Sequence, residues 1–64
     1  CVFLGRYSNR CGGEWDLWHQ DAPGREFGFD CGYGLQWWSV DARGGAMDQT
    51  IAEARRRAVA RGLV

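Results

Sequence analysis

Lysine is absent from this chain of 64 residues: all eight basic residues are arginine, matched by eight Asp and Glu, so the formal net charge is zero. That neutrality argues against strong nonspecific nucleic-acid binding, which depends on many phosphate contacts. No long hydrophobic run is present either. The longest uncharged stretches, such as CGYGLQWWSV (31–40), are too short and too broken by glycine to cross a bilayer as a helix. No basic segment leads into an apolar one at the start, so no signal peptide is expected, and loss of an initiator Met is the simplest account of a chain that opens on Cys1. Proline occurs once and cysteine three times, with no C-x₂-C or H-x₃-H pair, which removes the usual signature of a structural zinc site. The glycines at 24, 28, 32 and 34 lack the spacing of a phosphate loop and open no helix. The arginine bias, with alanines crowding the C-terminal third, is what GC-rich codons give and points to an actinobacterial or phage source.

What is present is the composition of a folded protein, 45% hydrophobic and 14% aromatic with four tryptophans, far from the depleted profile of disorder. A chain this short buries only about 60% of its unfolded surface, so its stability is marginal without a staple or a partner. One domain, residues 1–64, is expected. VFLGRY (about 2–7) reads as a strand. EWDLWHQ (14–20) alternates, with Trp15, Leu17 and His19 on one side and Glu14, Asp16, Trp18 and Gln20 on the other. DAPG (21–24) reads as a type II turn with Pro23 second and Gly24 supplying a positive φ. REFGFDC (25–31) puts Phe27, Phe29 and Cys31 on one side, and a last strand follows at about 35–40 after GYG.

A helix is predicted over about 48–62. Thr50 and Glu53 match a capping box, with Asp48 the alternative cap. Met47, Ile51, Ala54 and Ala58 make an apolar stripe that Val59 would widen, and Gly62 suits the C′ position. The segment TIAEARRRAVARG resembles the helix that follows the strands of HicB-type antitoxins; the match covers this segment alone and implies no function.

These elements predict an α+β domain: three or four antiparallel strands with one C-terminal helix on one face. The core is expected to hold Trp15, Leu17, Phe27, Phe29, Ile51, Ala54, Ala58 and one of the adjacent Trp37 and Trp38, because neighbours on a strand point to opposite faces. The other indole should emerge with Trp18, alongside Glu14 and Asp16. Either the Phe3/Tyr7 or the Val2/Leu4 side of the first strand should join them.

Charge is unevenly placed. Residues 1–47 carry four arginines against six acidic residues, a net of −2, and residues 48–64 carry four against two, a net of +2. Cys1, Cys11, Cys31 and His19 are expected to be small core residues and an ordinary strand-end histidine rather than metal ligands or a catalytic set, with thiols reduced in a cytoplasm. Cys11 and Cys31 would be the natural pair in an oxidising compartment. No cofactor, no metal, no enzyme activity and no membrane are expected. Trp18, Trp37, Trp38, Tyr7, Glu14 and Asp16 are the candidate partner-binding residues of a noncatalytic protein-interaction module, binding a partner protein or itself. The alternative is nucleic-acid binding through Arg55, Arg56, Arg57 and Arg61. The plainer account of those arginines is a solvated helix face, with Arg55 laying its stem over the sheet edge.

Overall fold

The computed structural model describes residues 1–8, 13–21, 24–45 and 47–64. Four strands, β1 (Val2–Ser8), β2 (Glu14–Gln20), β3 (Glu26–Asp30) and β4 (Leu35–Ser39), precede one helix, α1 (Asp48–Ala60). The strands form one antiparallel sheet in the order β1-β2-β3-β4. The fold is therefore the α+β arrangement that the alternation and the helical stripe predicted. No helix among the described residues is long and apolar enough to cross a membrane.

One side of the sheet, here the inner face, packs under α1. Leu4 of β1, Leu17 of β2 and Phe27 and Phe29 of β3 meet Ile51, Ala54 and Ala58 of the helix. The register explains the grouping: Leu17 stands opposite Phe29 and His19 opposite Phe27, and directly opposed residues share a face. Trp15 is half-buried at the rim of this cluster rather than inside it.

β1 departs from strict alternation. Its register with β2 runs Val2↔His19, Phe3↔Trp18 and then Gly5↔Leu17, so one extra residue enters between Phe3 and Gly5. Gly5 adopts φ +98°, which glycine reaches without a Cβ penalty. The bulge changes the phase of the strand. Val2, Leu4 and Tyr7 lie inward and Phe3, Arg6 and Ser8 outward, so Val2 and Leu4 share the inner face while the bulge splits Phe3 from Tyr7.

The turn after β2 differs from the expected type II turn. The left-handed residue is Arg25 at φ +55° and not Gly24, and the Arg25 amide donates to the Asp21 carbonyl at 2.8 Å. Ala22 and Pro23 lie outside the described residues. After β3, Gly32 and Gly34 take positive φ and the Gly32 amide donates to Asp30 Oδ1. Cys31 leaves the strand and is exposed, as is Cys1; both are free thiols, so neither is a core residue as expected. Cys11 lies outside the described residues.

The helix starts at Asp48 without the capping box. Met47 occupies the N-cap and makes no side-chain cap bond. Thr50 is buried inside the first turn, Asp48 Oδ1 accepts from the Gly44 amide instead, and Glu53 turns toward Arg56 and Arg57. Thr50, rather than Val59, widens the buried stripe; Val59 is 57% exposed. The C-terminal end is a Schellman motif: the Gly62 amide donates to Val59 O and the Leu63 amide to Ala58 O, with Gly62 at φ +72°.

The tryptophan doublet does split between the faces, but neither indole reaches the core. Trp38 opposes Phe27 on the inner face and Trp37 opposes Gly28 on the outer face. Trp38 is nonetheless 39% exposed, because α1 packs on β1 and β2 and leaves the β4 end of the inner face uncovered.

Candidate functional site

On the outer face one row crosses all four strands: Phe3, Trp18, Gly28 and Trp37. Phe3 and Trp18 pack with ring centroids 4.8 Å apart and planes tilted by 53°, a favourable aromatic geometry. Gly28 is the gap in the row, and the six-membered ring of Trp37 fills it. A Cβ placed on Gly28 would lie 2.8 Å from Cζ3 of that ring, so only glycine lets the indole sit there. Leu35, 40% exposed, extends the apolar surface along β4.

Beside this row the face is acidic. Asp16 and Asp30 stand directly opposite across β2 and β3, a like-charge pairing that costs stability in itself. Arg6 offsets it in part: its Nε donates to Asp16 Oδ1 at 3.1 Å and its guanidinium lies 3.7 Å from Glu14. The bond to Asp16, then the charges of Asp16 and Glu14, hold the Arg6 pKa above its ordinary value. Arg6, Glu14, Asp16, Asp30, Cys31 and Gly32 line an open cleft of about 260 Å³. On the other side of the row, Gln20 reaches Glu26 at 3.5 Å. Four carboxylates, Glu14, Asp16, Glu26 and Asp30, thus flank the aromatics with the single guanidinium of Arg6 among the described side chains of this face.

Of the six candidate partner-binding residues, Trp18, Trp37, Glu14 and Asp16 come together here. Tyr7 and Trp38 do not. The bulge turns Tyr7 inward, where it packs against the core and under the Arg57 guanidinium, 5.9 Å from its ring centroid. Phe3 takes the outward place, and Gly28, Asp30 and Glu26 complete the face. The signal for Phe3 was a glycine inside a strand pattern, which marks a bulge.

The helix arginines are engaged within the molecule. Arg55 donates to the Val40 carbonyl, and Arg56 pairs with Glu53. Arg57 bonds Glu53 at 2.8 Å and the carbonyls of Leu4 and Arg6, each at 3.1 Å. Arg61 donates to the Phe3 carbonyl. The Arg56 bond, opposed by partial burial and reinforced by Arg57, holds the Glu53 carboxyl below its ordinary pKa.

His19 is buried against Phe27, with ring centroids 5.6 Å apart. Its Nε2 has no hydrogen-bond partner among the described residues and lies 4.0 Å from Asp21. Cys31 lies past the end of β3 at Asp30, several residues along from Phe27, which stands opposite His19, so the two do not form a nucleophile–base pair. Among the described residues, no three His, Cys, Asp or Glu side chains gather closely enough to hold a metal ion.

Compared with known proteins, the chain matches no family model, no curated protein and no solved structure.

Proposed function

We propose that this chain is a small noncatalytic binding module whose outer sheet face docks on a basic surface of a partner protein. The observation that carries this reading is the row of Phe3, Trp18 and Trp37 flanked by Glu14, Asp16, Glu26 and Asp30. Aromatic faces attract guanidinium and ammonium groups, and nearby carboxylates add charge and hydrogen-bond acceptors. Aromatic anchors within a polar rim also dominate the energetics of protein interfaces. The same carboxylates would repel a phosphate backbone. Arg55, Arg57 and Arg61, which a nucleic acid would need, are bonded to backbone carbonyls.

Tryptophan fluorescence titrated with an arginine-rich peptide, and with a glutamate-rich peptide of equal length, tests the reading. The basic peptide is expected to shift the emission, more weakly at high salt, and the acidic one to leave it unchanged. Trp18→Ala should lose the response while keeping the far-ultraviolet spectrum of the fold. A gel shift with DNA or RNA that persists in Trp18→Ala and disappears in Arg56→Glu would replace this reading with nucleic-acid binding.

A further inference from the structure

The two edges of the sheet are treated differently. On β1, Arg57 and Arg61 donate to the carbonyls of Phe3, Leu4 and Arg6, so guanidinium groups occupy acceptors that an added strand would need. β4 has no such cover among the described residues. Leu35–Ser39 carries no charge, although charged side chains and proline are the common guards of an exposed edge. It also presents apolar surface on both faces, Leu35 outward and Trp38 inward.

Ladder geometry identifies the free groups of β4. The Val40 amide donates to the Arg25 carbonyl at 3.1 Å, one step beyond the β3–β4 register of Glu26↔Ser39 and Phe27↔Trp38. Bonded and non-bonded pairs alternate in an antiparallel ladder. Trp38 and Gln36 therefore bond toward β3, and the backbone groups of Leu35, Trp37 and Ser39 point away from it. The Ser39 carbonyl is taken by the Ala42 amide at 3.0 Å. The donor and acceptor of Leu35, the donor and acceptor of Trp37 and the donor of Ser39 remain; apart from the Leu35 amide, whose counterpart would be the engaged Ser39 carbonyl, that sequence is its own complement when reversed about Trp37.

We propose that β4 pairs antiparallel with β4 of a second copy about a two-fold axis at Trp37. The two Trp37 residues exchange two backbone bonds, and each Ser39 amide donates to the opposite Leu35 carbonyl. A second copy is the occupant that fits, because all the free groups but the Leu35 amide match their own inversion. An uncharged strand on a molecule of zero net charge also meets itself without repulsion. The aromatic rows of the two copies then join across one sheet. This pairing rests on the β4 edge and holds whatever the outer face binds.

Leu35 and Ser39 lie on the same face as Trp37, so the axis sets Leu35 of one copy opposite Ser39 of the other. Leu35→Lys with Ser39→Lys places like charges across both such pairs; Leu35→Lys with Ser39→Glu places opposite ones. Each double variant loses the bond from the Asp41 amide to Ser39 Oγ, so their comparison cancels it. Sedimentation velocity over a concentration series should show a wild-type dimer. The Lys/Lys variant should have a Kd raised about tenfold or more, and the Lys/Glu variant should stay within about threefold of wild type. A wild type that stays monomeric throughout the series, or equal constants for the two variants, overturns the proposal. Should the Lys/Lys variant lose its circular-dichroism signature, hydrogen exchange of the wild type decides. Amides of Trp37 and Ser39 that slow with rising concentration support the pairing, and rates independent of concentration refute it.

Discussion

At Gly28 the missing side chain is what allows an indole to lie over the middle of the sheet. A Cβ there would stand 2.8 to 3.0 Å from three atoms of the Trp37 ring, and real Cβ atoms do not approach so closely. Gly28→Ala should therefore displace Trp37 and cost about 1–2 kcal/mol, a typical overpacking loss less the gain in chain entropy on removing glycine. Urea denaturation measures the loss, and a red shift in tryptophan emission reports the displacement. His19 presents the opposite case, a buried polar group whose Nε2 has no hydrogen-bond partner among the described residues, Asp21 standing 4.0 Å away. An unpaired buried polar atom forfeits its hydration, so an apolar replacement of similar size is expected to be neutral or stabilising. His19→Leu should leave the denaturation midpoint unchanged or raised. A loss above about 2 kcal/mol would mean that the imidazole makes a bond the fold depends on.

Elements show why some of this was legible in the sequence and some was not. EWDLWHQ read correctly because β2 is interior, paired on both sides, and its alternation is unbroken from Glu14 to Gln20. The helix read correctly because the spacing of Ile51, Ala54 and Ala58 is a local property. β1 misled because one bulged residue reverses the phase, so Phe3 and Tyr7, four positions apart, end on opposite faces. The exposure of Trp38 was illegible for a different reason. It depends on α1 leaning toward β1, where Arg57 and Arg61 reach carbonyls more than fifty residues away, and no periodicity encodes a contact of that range. The capping box failed because the helix starts at Asp48 with Met47 at the N-cap, which puts Thr50 inside the first turn, and Glu53 pairs with Arg56 and Arg57 instead. Arg56 and Arg57 depress its pKa, so its contribution is present above the ordinary carboxylate value and is lost as the pH falls through the lower folded value. Wild type and Glu53→Gln should thus differ in stability near pH 7 and converge as the pH falls below the ordinary carboxylate range. A gap that is constant across that range in denaturant titrations would show that the carboxylate charge contributes nothing.

For the whole molecule, size sets how sharply the two faces can be told apart. A chain of 64 residues has roughly 3–10 kcal/mol of folding free energy at the usual amount per residue. Leu17 and Trp18 are neighbours in sequence, yet they serve opposite faces of the same strand. Leu17 is fully buried between Phe29 and the helix, and Leu17→Ala should cost about 2–5 kcal/mol, a large share of the total. Trp18 rests on Phe3 and is half-buried. Trp18→Ala should cost about 1 kcal/mol in lost aromatic packing and leave a cooperative transition in place. The order reverses for binding. Titrated with the arginine-rich peptide at a temperature where both variants remain folded, Leu17→Ala should retain wild-type affinity, because its change lies beneath the sheet. Trp18→Ala should lose affinity at least tenfold, the loss of roughly 2 kcal/mol expected for a central aromatic anchor. Equal losses of affinity in the two variants would mean that the peptide senses stability alone, and the outer face would then have no claim to be the docking surface.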